Sequence, residues 1–322
     1  MGVLSAKDCW KCAYHRGRLS SEIRNIAPEL NGAMMSVGLS EEEVQTYISK
    51  LGSSETVVVA CVNSPSNITL SGDSTSLAKL ETQFKEENIF ARRLKVENAY
   101  HSPHMQTIAE QYYDSIKDIQ PQSVSPKSAP SFFSSVTGTK LEYSELNASY
   151  WVRNLVSPVQ FVKALDAMLP VVQPGIRRRR RDETWVDTFI EIGPHAALQG
   201  PVRQILTKNG RQGDATYFPT LVRGKDAAVT TLETIGNLWA KGQSLDLLRV
   251  NSVFAEPEAQ KCMNDLPNYP WKYVPYHHRL TLPHDRADKI MKSHKQILVR
   301  EPRYCNPSLG FRPTSRLGRE AR

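Results

Sequence analysis

Two residues stand where anion or proton-transfer chemistry could be done, Arg16 and His101. Arg16 completes the set Cys9, Cys12, Ala13 and Arg16, which recurs at i, i+3, i+4 and i+7 on one face of a helix expected over residues 5–20. A guanidinium on that half-apolar side calls for an anion, and its planar fork matches a carboxylate. Arg18, on the neighbouring stripe, suits the commoner arrangement, with the stem along the core and the head in water. His101 lies in Asn98-Ala99-Tyr100-His101-Ser102-Pro103, where Ser102 can cap a helix and Pro103 can open it. The imidazole is thereby held just outside a helix start, and it titrates in the range a general base needs. Cys9-Trp10-Lys11-Cys12 has the spacing of a metal or redox pair, but neither a second pair nor a histidine partner is near. It reads as two small apolar residues on one helix face. His104 and His195, each at a helix start, read as structural.

The elements that must position these residues show themselves as changes of period. Ala33–Val37 is a short strand, Ser40 caps a helix with acids in its first turn, and Thr56–Val62 and Ile68–Ser71 are strands around turn chemistry at 63–67. A helix comes next with Leu77, Leu80 and Phe84 on one face, then a strand over Ile89–Val96. The order βαββαβ is that of a ferredoxin-like unit. The helix after His101 turns Met105, Ile108, Tyr112 and Ile116 inward, and a Pro/Ser-rich loop over Pro121–Pro130 ends it. Beyond it come a strand over Ser131–Val136, a helix from Ser157-Pro158 to Leu169, and a strand over Trp185–Ile192. A helix over Pro194–Leu206, a strand over Tyr217–Val222 and a helix over Ala227–Ala240 complete the series. The fold class expected is therefore α/β, a partial parallel-sheet core with the ferredoxin-like βαββαβ subdomain inserted.

Composition is that of an ordinary globular chain, and no apolar run is long enough to cross a bilayer. With no secretory leader visible, the expected address is cytoplasmic. The net charge is +8, and twelve basic against four acidic residues from Trp271 onward account for it. Arg177–Arg181 reads as a solvated loop, and neither basic stretch carries the interleaved aromatics of a nucleic-acid groove. No specific nucleic acid and no membrane are expected as partners.

Five sequence blocks resemble the acyltransferase domain of fungal iterative type I polyketide synthases. They are Gly2–Ala6 with Ala13–Arg18, Val62–Pro65 with Ile68–Gly72, Ala99–Ser102, Tyr150–Leu155 with Pro158-Val159, and Glu191–His195. The resemblance covers roughly residues 2–271. In such domains, which are similar to malonyl-CoA:acyl carrier protein transacylases, a serine on a G-H-S-x-G elbow attacks the thioester of malonyl-CoA. A histidine takes its proton and an arginine pairs with the free carboxylate. The resemblance puts the histidine at His101 and the arginine at Arg16, with the Ser157 carbonyl orienting His101. It sets Asn98 and Tyr100 in a substrate-binding motif nearer the malonyl than the methylmalonyl form, with Asn98 departing from the usual first residue. It implies no cofactor on this chain, with acyl-CoA as substrate and phosphopantetheine on a separate carrier domain. The implied partners are malonyl-CoA, the acyl carrier protein domain and other synthase domains. The implied layout is a helical part of the core over 1–31, the small subdomain over 32–97, the rest of the core over 98–222, a linker over 223–271, and a basic, disordered or mis-framed tail over 272–322.

The departure is at the front. No G-x-S-x-G occurs in the sequence, and counting back from Arg16 sets the expected serine ahead of Met1. The expectation is thus a fragment inactive by itself. The alternatives are a non-catalytic accessory or carrier-protein-binding module, and a basic protein that binds polyanions through its tail.

Overall fold

The computed structural model describes residues 2–52, 56–123, 130–169 and 186–252. The expectations for the Arg177–Arg181 loop and for the 272–322 tail lie outside them. Two units are distinguished, Met1–Leu245 and Asp246–Arg322. The second contributes one described helix, Leu247–Ser252, and the elements below all belong to the first.

Helix α1 runs over Ala6–Ile26, with the Ser5 hydroxyl accepting from the Asp8 N–H. It extends past its expected end because Leu19 and Ile23 prolong its buried stripe. The stripe also has a different phase. Cys12, Leu19 and Ile23 are buried with Arg16 half-buried among them, whereas Cys9 and Ala13 face solvent, so the cysteines do not share one buried face.

Four strands then form one antiparallel sheet: β1 (Gly32–Val37), β2 (Val57–Ser64), β3 (Asn67–Asp73) and β4 (Ala91–Arg93). Their order across the sheet is β2-β3-β1-β4. Helices α2 (Glu41–Ile48) and α3 (Ser74–Glu86) make the crossovers β1-α2-β2 and β3-α3-β4. Ser40 and Glu43 complete a capping box at the start of α2. At Gly72, with φ +156°, a Cβ would come within 1.9 Å of the Thr56 carbonyl oxygen, so only glycine lets β2 and β3 approach there. Met35, Val37, Ile68, Leu70, Leu77, Leu80 and Phe84 fill the core beneath the sheet.

After this sheet the chain enters a 3₁₀ turn over Pro103–Ile108 and α4 (Ala109–Ile116). Met105, Ile108, Tyr112 and Ile116 are all buried, as their spacing predicts, and pack on Cys12, Leu19 and Ile23 of α1. The strand expected over 131–136 is not part of a parallel sheet. It is β5 (Phe132–Ser134), which turns back through Gly138 into antiparallel β6 (Thr139–Leu141). Helix α5 (Ala148–Val156), capped by Asn147, has no counterpart among the expected elements. Helix α6 (Phe161–Met168) starts later than its proline suggests, because residues 157–159 run extended beside β2. Among the described strands β7 (Thr188–Glu191) pairs in parallel with β8 (Thr216–Pro219), the two joined through α7 (Gln199–Lys208), and a parallel bridge links Cys61 of β2 to Val159. Helix α8 (Ala227–Ala240) comes next and bonds back to β8 through the Thr234 hydroxyl and the Pro219 carbonyl. Among the described residues no helix is long and apolar enough to cross a membrane.

Candidate active site

Arg16 and His101 come together at the end of α5. The Arg16 Nη1 donates to the Asn154 side-chain oxygen at 2.6 Å, and His101 Nδ1 lies 3.0 Å from the Ser157 carbonyl oxygen. A carbonyl can only accept, so in this contact Nδ1 carries the proton and the neutral ring keeps its lone pair on Nε2. His101 has φ +59°, a left-handed conformation uncommon outside glycine, set by the tight turn that delivers Ser102 to its cap. Ser102 is buried; its hydroxyl donates to the Ala99 carbonyl at 2.6 Å and accepts from the His104 N–H at 3.2 Å.

The electrostatics suit a neutral base beside a cation. Burial, and then the Arg16 charge, hold the His101 pKa below its ordinary value, against main-chain hydrogen bonds to Ser157 and Asn154 that favour the charged form. Burial also lowers the pKa of Arg16, with Tyr112 and Tyr100 acting in the other direction. Among the described residues no ion pair involves Arg16, and its side chain donates to the neutral Asn154 amide. Arg18, by contrast, pairs with Glu22 one turn on.

Asn98 donates to the Ser20 carbonyl at 2.7 Å and so fastens the turn to α1. Tyr100 packs against the cluster of Cys12, Leu19 and Tyr112. His195 accepts from the Arg223 N–H at 3.3 Å, and His104 is buried against Asp73, both in structural settings. Sequence reasoning missed Asn154, although it stands inside the family-like block Tyr150–Leu155. Its contact with Arg16 joins residues 138 apart, a separation that local spacing does not report.

Against this geometry, a model of the acyl transferase domain matches residues 1–244. The chain belongs to the acyl transferase family. The chain is 42% identical over 272 residues to the highly reducing polyketide synthase Preu1 of Preussia isomera, covering 84% of this chain and 11% of that one. To the partially reducing polyketide synthase tpeA of Talaromyces stipitatus it is 42% identical over 279 residues, 85% of this chain and again 11% of the relative. The chain thus spans about a tenth of the length of the curated relatives it matches. Among solved structures, the acyltransferase domain from module 8 of the salinomycin polyketide synthase superposes with a TM-score of 0.63 at 27% identity, covering 76% of this chain and 52% of that one. The malonyl CoA-acyl carrier protein transacylase from Clostridium perfringens gives 0.58 at 25% identity, covering 76% of this chain and 68% of that one.

Proposed function

We propose that this acyltransferase carries the base and the carboxylate clamp of a malonyl transfer reaction, from CoA to an acyl carrier protein, within a polyketide synthase. The observation that carries the reading is the meeting of Arg16 and His101 on one helix end, with the imidazole tautomer set by Ser157. A hydroxyl attacking the thioester would give its proton to His101 Nε2, and the CoA thiolate would take that proton as it leaves; the carrier thiol would then repeat the exchange. Arg16 would hold the malonyl carboxylate and so favour it over a plain acyl group. Asn98 and Tyr100 would shape that end of the site through the turn they anchor. The ferredoxin-like identity of residues 32–97 is part of the same proposal, supported by the βαββαβ element order and the strand order β2-β3-β1-β4.

The hydroxyl itself is not on a G-x-S-x-G of this sequence. We therefore expect the 322-residue chain to bind malonyl-CoA without becoming acylated. Radiolabelled malonyl-CoA tests both halves. Reversible binding should weaken about 10- to 100-fold in Arg16→Ala, the worth of a charged hydrogen-bonded pair, and acetyl-CoA should bind no better to the wild type than to that variant. Label that survives denaturation would overturn the expectation of inactivity. Equal binding of malonyl- and acetyl-CoA would remove Arg16 from its role.

A further inference from the structure

The four-stranded sheet reaches the His101 cradle from two sides. On one side, His104, three residues beyond His101 and 5% exposed, sets its Nε2 3.0 Å from Asp73 Oδ1 at the end of β3. The second oxygen, Asp73 Oδ2, accepts from the Thr56 N–H at 2.8 Å, and the Asp73 N–H donates to the Thr56 carbonyl at 2.8 Å. The carboxylate is thus fixed by the sheet before it meets the imidazole. It also makes no side-chain cap to α3, although Asp73 occupies the N-cap position. A residue type favoured for capping spends its carboxylate on a tie 31 residues away instead.

On the other side stands the acceptor. The register of β2 against β3 shifts between Val59 and Cys61, leaving Ala60 as the extra residue of a bulge. The Ala60 carbonyl accepts from the Val159 N–H at 2.7 Å, and the Val62 N–H donates to the Val159 carbonyl at 2.9 Å. Val159 is two residues past Ser157, whose carbonyl holds His101 Nδ1. The donor turn is tied to β3 and the acceptor segment to β2, and β2 and β3 are adjacent strands.

We infer that Asp73 and His104 are positioning residues which, with the Val159 ladder, let the four-stranded sheet set the orientation and tautomer of His101. A left-handed residue such as His101 stays in place only where its surroundings over-determine it. Here Ser102 supplies the local restraint, and the Asp73–His104 pair supplies the restraint from outside the turn. Loss of that pair frees one side of the cradle while the other remains. The ring then no longer meets the Ser157 carbonyl in one arrangement. The inference builds on the proposed role of His101 but is tested apart from it.

The experiment is nitrogen-15 NMR of histidine-labelled full-length chain, which reads ring tautomers directly and needs neither malonyl-CoA nor a nucleophile. In the wild type His101 should show the Nδ1–H tautomer alone. His104→Phe and Asp73→Asn should each lose that single-tautomer pattern at His101 while His195 keeps its own. His104→Gln, which can still offer an N–H to Asp73, should restore it. If His104→Phe does not fold, Asp73→Asn, which keeps the side-chain shape, decides. An unchanged His101 pattern in folded Asp73→Asn, or failure of His104→Gln to restore what His104→Phe loses, would overturn the inference. Absence of malonyl-CoA binding would count against the proposed function and leave this result standing.

Discussion

Residues 32–93 close all their strand pairings within one continuous stretch of chain, with α6 and α7 packed on the same core, whereas the site joins α1, the His101 turn and α5 from three separate stretches. In the sheet, β2 and β3 form a hairpin, α2 carries its own capping box, and the apolar side chains beneath them are fully covered. Its exposed apolar groups, Phe90 and Leu94, flank β4 at one edge. In the site region, Arg16 and Asn154 meet across 138 residues and His101 and Ser157 across 56. Trp10 and Tyr14 on α1 are 74% and 64% exposed, and a cavity of about 650 Å³ lies between β5, α5, α6 and β7. A sheet made from one continuous stretch and a site made from three separate ones divide the labour. The first supplies rigidity, and the second borrows it through Asp73, His104 and Val159.

Truncating the sheet core is the strongest way to break this comparison. Phe84→Ala, at a fully buried position, should cost about 3–5 kcal/mol in urea unfolding, and the His101 tautomer pattern should disappear in the same transition. If the site pattern outlived the sheet, the borrowing would be refuted. Tyr112→Phe removes only the phenol that donates to the Cys12 carbonyl at 3.3 Å, and should cost about 1 kcal/mol by the same measurement without touching the sheet. Ser40→Ala, which opens the capping box of α2, should cost a similar amount, about 1 kcal/mol, and leave malonyl-CoA binding unchanged.

A pH series sharpens the contrast further. His101 has a folded pKa below its ordinary value, so in the acid range the unfolded chain binds more protons than the folded one. Its share of stability is therefore complete above the ordinary histidine range, about pH 6.5, and is lost as pH falls through the lower folded value. His101→Asn, which tolerates the left-handed backbone, should flatten that part of the curve in thermal melts. A slope unchanged by the substitution would assign the acid sensitivity to other groups. The smallest effect is expected at Trp10, where replacement by serine should alter stability by less than about 0.5 kcal/mol, since the ring is mostly in water.

Much of the four-stranded sheet is legible in the residues alone. The apolar run at 33–37, the β-branched run at 56–62 with the turn residues before 68–71, the cap at Ser40 and the spacing of Leu77, Leu80 and Phe84 each report on neighbours a few residues away. The inward face Met105, Ile108, Tyr112 and Ile116 is legible for the same reason. The hairpin of β5 with β6 is not, because a short apolar run fits a parallel core strand as well as a hairpin arm. The choice falls to the turn at Gly138, where a Cβ would come within 2.7 Å of the Lys163 Cβ. The phase of α1 differs from expectation because the larger Leu19 and Ile23 set its buried stripe, and they lie beyond the Cys9-to-Arg16 count from which the face is read.

For the site, Arg16 and His101 stand out by residue type and position, while their expected roles and the Ser157 carbonyl come only from the resemblance of the surrounding blocks to the acyltransferase family. The pairing of Arg16 with Asn154 and of His104 with Asp73 lies beyond both. Each is a contact between segments whose separation along the chain says nothing of their distance in space. The packing of α1, α4 and α5 in one cluster brings Arg16 to Asn154, and the seating of the turn after His101 at the end of β3 brings His104 to Asp73. Periodicity and caps are written residue by residue, but which buried polar groups satisfy one another is settled when the elements close on a common core.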